Sequence, residues 1–414
     1  MRYVSVDRRL LLKMGFGTLL GLANSTAFAD ILGNDAATDA SGDDLAAAQS
    51  RLGENLIRAL APNGRAAGGN LIVSPASLAA ILGFVDLGAS RPLHSAIHRT
   101  LGFQRASRRQ VDDDIKGLRR SVSAIIARSG ESSPFVLANL LVFDRSVRPR
   151  QLALFALSGA GADVLVDNLG DPKIIDRINS WVRQKTHDLI PSILEEAPES
   201  LGLLAVNALY FKDKWQTPFD PARTAREKFQ RVAGDPVDVA MMHSPVAKFA
   251  FRQDDQFIAA ELPYANEDFR LVVVTTKSAP AKPLDFAPVS GWLGGQGFQV
   301  KGGEIAMPKF SLSAAEELLQ PLDVLGLRAA RRLPDALDGF SPEELVISRV
   351  VQKLELRLSE EGTQAAAATA VVTTRSLALD PGLKMIVDKP FVFALRDQKS
   401  GLMLFMGYVG SPPR

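Results

Sequence analysis

Cysteine is absent from all 414 residues, and histidine occurs only four times. The first absence excludes disulfides, thiol catalysis and cysteine-based metal sites together, so stability must come from packing. The second leaves little imidazole for acid–base work. No apolar run reaches the length needed to span a bilayer. The local signatures of hydrolases and nucleotide enzymes are missing too: no Gly-x-Ser-x-Gly elbow, no His-Glu-x-x-His helix and no Gly-Lys-Ser/Thr phosphate loop. The expectation is a protein that is not an enzyme and takes no cofactor or metal.

His94 and His98 stand at metal-ligand spacing in an expected helix, but arginines flank both and no carboxylate ligand accompanies them in sequence. His187 and His243 are single and read as structural. Arg105, Arg108, Arg109, Arg119 and Arg120 could meet a polyanion, yet Asp112, Asp113 and Asp114 sit among them, and a solvated helix face is the better reading.

What is present is abundant core material, with 46% hydrophobic and 23% charged residues. The first 29 residues have a basic start, a short apolar stretch from Met14 to Ala23, and Ala27-Phe28-Ala29 before Asp30. That is the pattern of a cleavable export signal. Arg8-Arg9 followed by Leu-Leu-Leu-Lys resembles the bacterial twin-arginine signal, with an ordinary secretory signal as the alternative. The expected location is therefore periplasmic or extracellular, in a bacterium. Cleavage there removes four cations and Asp7, so the formal charge falls from +2 to −1. Nothing global then points to nucleic acid or to a membrane surface.

Residues 30–48 are small, acidic and glycine-containing, the composition of a flexible leader. From 49 to 414 no further linker or repeat appears, and the segment reads as one domain. Helical periodicity shows in Leu52-Leu56-Leu60 and in 76–87, 111–127 and 173–189. Strand-like runs cover 135–143, 203–211, 259–262, 270–276, 303–310, 391–395 and 402–409, with a hairpin turn at 397–401. Helices early and strands late predict a mixed α and β (α+β) fold with largely antiparallel pairing.

Residues 360–375, EEGTQAAAATAVVTTR, fit neither element: a Gly-Thr pair opens an alanine-rich run that ends in β-branched residues and a lone arginine. Other segments place it. Asn207-Ala-Leu-Tyr-Phe-Lys-Asp-Lys-Trp215 with Pro218-Phe219-Asp220 and Thr224 resembles the strand and breach segment of the serpin superfamily of protease inhibitors. Asn70-Leu-Ile-Val-Ser-Pro-Ala-Ser77, Ile178-Asn-Ser-Trp-Val182 with Thr186, Met241-Met-His243, Glu261-Leu-Pro-Tyr264, and Lys389-Pro-Phe391 through Leu404-Phe-Met-Gly407 agree, in family order.

The resemblance implies helices packed on three mainly antiparallel sheets, with an exposed reactive-centre loop at about 360–382. It implies a hinge made of Glu360, Glu361, Gly362, Thr363, Gln364, Ala365, Ala366, Ala367, Ala368, Thr369 and Ala370. It also implies a sheet-opening gate at Ser74, Ser77, Asn207 and Gln352, and a breach residue, Trp215. The implied activity is suicide inhibition of a serine protease by a monomer: cleavage, an acyl-enzyme, and insertion of the loop into the central sheet. Small side chains in the hinge can enter a sheet where bulky or charged ones would clash or be buried unpaired.

Gln352 stands where many members carry histidine, and is expected to hydrogen-bond near Ser74, Ser77 and Asn207. Gln364 replaces the usual hinge glutamate. The bait bond is expected at Arg375-Ser376, for a trypsin-like target; the family's commonest loop length would put it at Ser376-Leu377, and cleavage at Ser376 or Thr374 would suit an elastase-like or subtilisin-like one. Two rival readings are a non-inhibitory serpin acting as a binding or chaperone-like protein, and a hydrolase using Ser74 or Ser77.

Overall fold

The computed structural model describes residues 42–60, 69–104, 107–130, 133–198, 202–278, 285–363 and 382–412. The export signal, most of the leader, and the segment holding Gln364–Ala370, Arg375, Ser376 and Leu377 lie outside the described residues. Helix α1 (Gly42–Leu60) begins inside the stretch read as leader. Leu45 and Ala48 are buried with Leu52 and Leu56. Their spacing of three and four makes one apolar stripe, so the folded unit starts before residue 49.

Helix α2 (Pro75–Asp86) is buried on every side, and its proline and the Ser74 cap fix its start. A helix apolar all round belongs in the centre of a core. Helices α3 (Arg91–Thr100) and α4 (Arg108–Ala127) pack beside it. Helix α5 (Gln151–Gly159) follows. Helix α6 (Lys173–Lys185) stops short of residue 189 because His187 and Asp188 take left-handed backbone, at φ 51° and 60°. Among the described residues, no helix is long and apolar enough to cross a membrane.

The smaller sheet holds β2 (Phe135–Asp144), β3 (Asp163–Asp167), β4 (Leu203–Phe211), β5 (Asp213–Lys214), β12 (Phe310–Glu317), β13 (Ile347–Leu358) and β14 (Gly362–Thr363). Its order is β3-β2-β4-β13-β14-β5, with β12 on β13. The larger sheet takes β1 (Asn70–Val73), β6 (Asp220–Phe229), β7 (Val237–His243), β8 (Ala247–Gln253), β9 (Phe257–Pro263), β10 (Phe269–Thr276), β11 (Gln299–Pro308), β15 (Leu383–Ile386), β16 (Phe391–Asp397) and β17 (Met403–Val409). The three sheets expected appear as two continuous ones, because β11 pairs with β8 through its first half and with β7 and β15 through its second. The run 303–310 is likewise not one strand: it spans the end of β11 and the start of β12, with Lys309 between them.

The histidines of α3 are not without carboxylates. His94 lies 2.7 Å from Asp86 and 3.0 Å from Asp112, and buried His98 lies 3.0 Å from Asp114. Both aspartates of α4 come from the acidic run that the sequence showed only among arginines. Hydrogen bonding to Asp86 raises the His94 pKa against the opposing effect of burial. These ion pairs join α3 to its neighbours.

Candidate functional site

Strand β4 reads LLAVNALYF and is buried throughout, the near-continuous apolar run of a strand covered on both faces. Asn207 is its one polar residue. Strand β4 pairs in parallel with β13, and Asn207 lies opposite Gln352 on one side and Asn139 of β2 on the other. All three are buried. They form a polar row across the seam, facing the main core, in which Ser74 and Ser77 lie at the start of α2.

Within this gate the Ser74 hydroxyl sits 2.9 Å from that of Ser77 and accepts the Ser77 backbone N–H at 3.1 Å. The Asn207 Nδ2 donates to Asn139 Oδ1 at 2.8 Å and to the Ala138 carbonyl at 3.3 Å, while its Oδ1 is buried with no partner. Among the described residues, Gln352 makes no hydrogen bond to Ser74, Ser77 or Asn207, contrary to expectation. It is a lateral neighbour of Asn207, and Asn139 takes the bond instead. The Ser74 hydroxyl is engaged by Ser77 alone among the described residues.

The other face of the seam is covered by α6. Ile174, Ile178, Trp181 and Val182 pack with Ala138, Val206, Ala208 and Val351, so the helix spans β2, β4 and β13 together. Its Trp181 Nε1 donates to Asp163 at 2.7 Å, and Lys185 reaches the same carboxylate at 2.6 Å.

At the end of β13 the chain turns back through Ser359–Glu361. Ser359 N–H donates to the Gly362 carbonyl at 2.8 Å, closing the turn. Gly362 and Thr363 then pair antiparallel with Lys214 and Asp213 of β5, and Thr363 also with Leu358 of β13. Gly362 has φ 152°, and a Cβ there would lie 2.1 Å from the Asp213 carbonyl oxygen, so only glycine fits. Thr363 was expected in an exposed loop. It is fully buried, and its hydroxyl lies 2.8 Å from the Tyr264 hydroxyl. Burial pushes the Tyr264 phenol far above its usual range, so it stays neutral.

The breach residue Trp215 holds the turn twice: its backbone N–H donates to the Glu361 carbonyl and its indole N–H to the Ser359 carbonyl, both at 2.9 Å. The ring stacks on Tyr264 with centroids 4.4 Å apart. Glu360 accepts from Lys309 at 2.9 Å and from Thr224 at 3.0 Å. Burial acts to raise the Glu360 carboxyl, but its own backbone N–H, Lys309 and Thr224 together hold it below the usual carboxylate range. Gly362 and Thr363 are thus two residues wedged between β13 and β5, directly above the seam where β4 and β13 pair with each other.

The family description "Serpin (serine protease inhibitor)" matches residues 47–412. The chain belongs to the serpin family. The leukocyte elastase inhibitor of Bos taurus is 29% identical over 384 residues, covering 89% of this chain and 99% of the relative. Iripin-2 of Ixodes ricinus is 30% identical, covering 88% and 93%. Among solved structures, Serpin48 of the insect Tenebrio molitor superposes with a TM-score of 0.75 at 22% identity, covering 91% of this serpin and all of that chain. Thyroxine-binding globulin in complex with thyroxine superposes as well, at 0.75 and 22%, over 89% and 99%. The serpin fold is thereby shown, and with it the mixed α and β class.

Among the described residues, most of those expected as hinge, breach and gate lie along one seam of this serpin. Glu360–Thr363 and Trp215 form its upper end, and Asn207 and Gln352 its middle. Asn139 and Lys309 belong to it and escaped sequence reasoning; Thr224 and Tyr264 belong to it too, in motifs that carry the resemblance but name no partner for them. Each is ordinary in its own run, and only pairing across 51 to 136 residues of chain gives it a partner in the site.

Proposed function

We propose that this serpin inhibits serine proteases as a suicide substrate, with Arg375-Ser376 as the bait. Its family is described as one of serine protease inhibitors, and the bovine relative is a leukocyte elastase inhibitor. The observation that carries the reading is the register of Thr363. It faces Leu358 on one side and Asp213 on the other, an offset of 145 residues between those strands. Asn207 and Gln352 are offset by the same 145 in the closed seam. A strand continued downward from Thr363 is therefore in register with both neighbours at once as far as Arg349, below which β13 bulges against β4, and down to there the seam need only part sideways, with no slip along either strand.

Continued in that register, Gln364 falls opposite Arg357 and Thr374 opposite Ile347, the first residue of β13. Thr369 falls between Gln352 and Asn207, adding a hydroxyl to the polar row where the Asn207 Oδ1 lacks a donor. Ala366, Ala368 and Ala370 fall on the face covered by α6, where a larger side chain would have to displace the helix. Arg375 is the first residue beyond the end of β13.

The chemistry follows from that placement. The protease's serine oxygen attacks the Arg375 carbonyl carbon, the bond to the Ser376 nitrogen breaks, and that amine leaves with a proton from the protease's histidine. The ester that remains ties the protease to a strand free to insert. Twelve residues, Gln364 to Arg375, span roughly 40 Å as a strand. One parallel ladder is replaced by two antiparallel ones, and the added hydrogen bonds contribute on the order of 10 kcal/mol. That is comparable to the whole stability of a typical protease.

Incubation with trypsin followed by denaturing electrophoresis tests the reading. A stable covalent adduct is the expected result; cleavage without adduct, or no reaction with trypsin, elastase or subtilisin, would favour a binding protein that keeps only the fold. Arg375→Ala should abolish the adduct with trypsin-like enzymes, since it removes the charge their buried carboxylate pairs with. An unchanged trypsin adduct would move the bait to Ser376-Leu377.

We also propose export by the twin-arginine route. Arg8→Lys with Arg9→Lys should leave precursor in the cytoplasm, because lysine cannot reproduce paired guanidinium recognition. Normal export of the double variant, followed by fractionation and blotting, would assign the protein to the ordinary secretory path.

A further inference from the structure

Far from the seam, the larger sheet carries two arginines directly opposite one another, Arg270 on β10 and Arg396 on β16. Like charges at paired positions repel, and among the described residues the one ion pair made by either is that of Arg396 with Glu261 of β9, at 3.8 Å. The Arg396 side chain is 14% exposed. No ion pair reaches Arg270 among the described residues, and its Nη1 is buried without a hydrogen-bond partner.

The segment 290–297, Ser-Gly-Trp-Leu-Gly-Gly-Gln-Gly, lies against Arg396 of the pair. Gly295 has φ 81°, and a Cβ there would fall 1.7 Å from Arg396 Nη1, so the backbone lies directly on the guanidinium. Neighbouring Arg252 is already used: it stacks 4.3 Å from the Trp292 ring centre and donates to the Gln296 carbonyl at 2.6 Å. Burial, and secondarily the repulsion of Arg270 against the pull of Glu261, lowers the Arg396 pKa, as expected of a cation short of acceptors. A half-buried cation without an acceptor costs stability unless an anion joins it.

We propose that Arg270 and Arg396, beside the 290–297 segment, bind a small oxyanion such as phosphate or a carboxylate. Two oxygens would receive the Arg270 Nη1 hydrogen and the edge of Arg396 that Glu261 leaves open, and planar guanidinium pairs favour that geometry. The site does not depend on the inhibitory reading.

Thermal unfolding of the full chain with added inorganic phosphate or sodium acetate, at constant ionic strength against chloride, tests this. At a hundredfold excess over the dissociation constant, binding should raise the midpoint by about 3–5 °C. Phosphate alone active would mark an inorganic-anion site, and acetate alone a carboxylate site. Arg270→Met should abolish the rise, and in chloride should itself raise the midpoint, because it removes a cation with no partner. A rise that survives in Arg270→Met, no rise with either anion, or a lowered midpoint of Arg270→Met in chloride would overturn the proposal.

Discussion

Ala367→Pro is expected to turn the inhibitor into a substrate of its own target. In the register set by Thr363, residue 367 falls opposite Leu354 of β13 and Leu209 of β4, in the middle of the strand with a neighbour on each side. Proline there deletes one ladder hydrogen bond and its ring resists the extended pairing geometry, at a cost of about 3 kcal/mol or more where the sheet is continuous. The proposed mechanism gives residue 367 a ladder bond only on insertion, so the same proline should leave the preceding step untouched. Bait cleavage should therefore keep its rate, eight residues away at Arg375, while insertion stalls and water releases the acyl-enzyme. The measurement is the partition between covalent adduct and cleaved inhibitor at equimolar protease. Adduct should fall from the dominant product to a minor one; full adduct yield would mean that the alanine run does not enter the sheet.

Cutting the loop should make the protein more stable, the reverse of what a nick normally does. The wedge at Gly362–Thr363 is already paired on both sides, and the Asn207 Oδ1 below it waits for a donor. Cleavage after Arg375 frees twelve residues to follow. At about 1 kcal/mol for each added hydrogen bond the gain is roughly 10 kcal/mol, which corresponds to a rise in unfolding midpoint on the order of 20 °C. The check is calorimetry before and after complete nicking by a protease that forms no adduct. A midpoint that stays or falls would remove the driving force from the mechanism.

The strands buried on both faces were the most legible part of the chain. Leu203–Phe211 was read to the residue, since nine positions, all apolar but Asn207, bounded by Gly202 and Lys212 have few other uses. Strands with one exposed face fared worse. Asp220–Phe229 is charged and mostly exposed, and it is a strand because β7 supplies its ladder, which no local pattern announces. The helix at 42–60 was entered late because its first turn is Gly-Asp-Asp, the composition of a leader, and only the burial of Leu45 and Ala48 shows where the fold begins.

The sequence by itself determined that stability rests on packing without disulfides, that the class is mixed α and β, and that the run 362–379 is made mostly of small or β-branched residues with Arg375 as its one charge. Those are matters of composition and of order along the chain, and both survive without coordinates. Tertiary structure alone decided that Thr363 is already inside the sheet and that Asn139, not Gln352, holds Asn207. It also decided that Lys309 and Thr224 tether Glu360, and that Arg270 and Arg396 stand opposite one another. Each depends on register between strands far apart in sequence, and register is set by the mutual packing of whole sheet faces rather than by any residue's own neighbours.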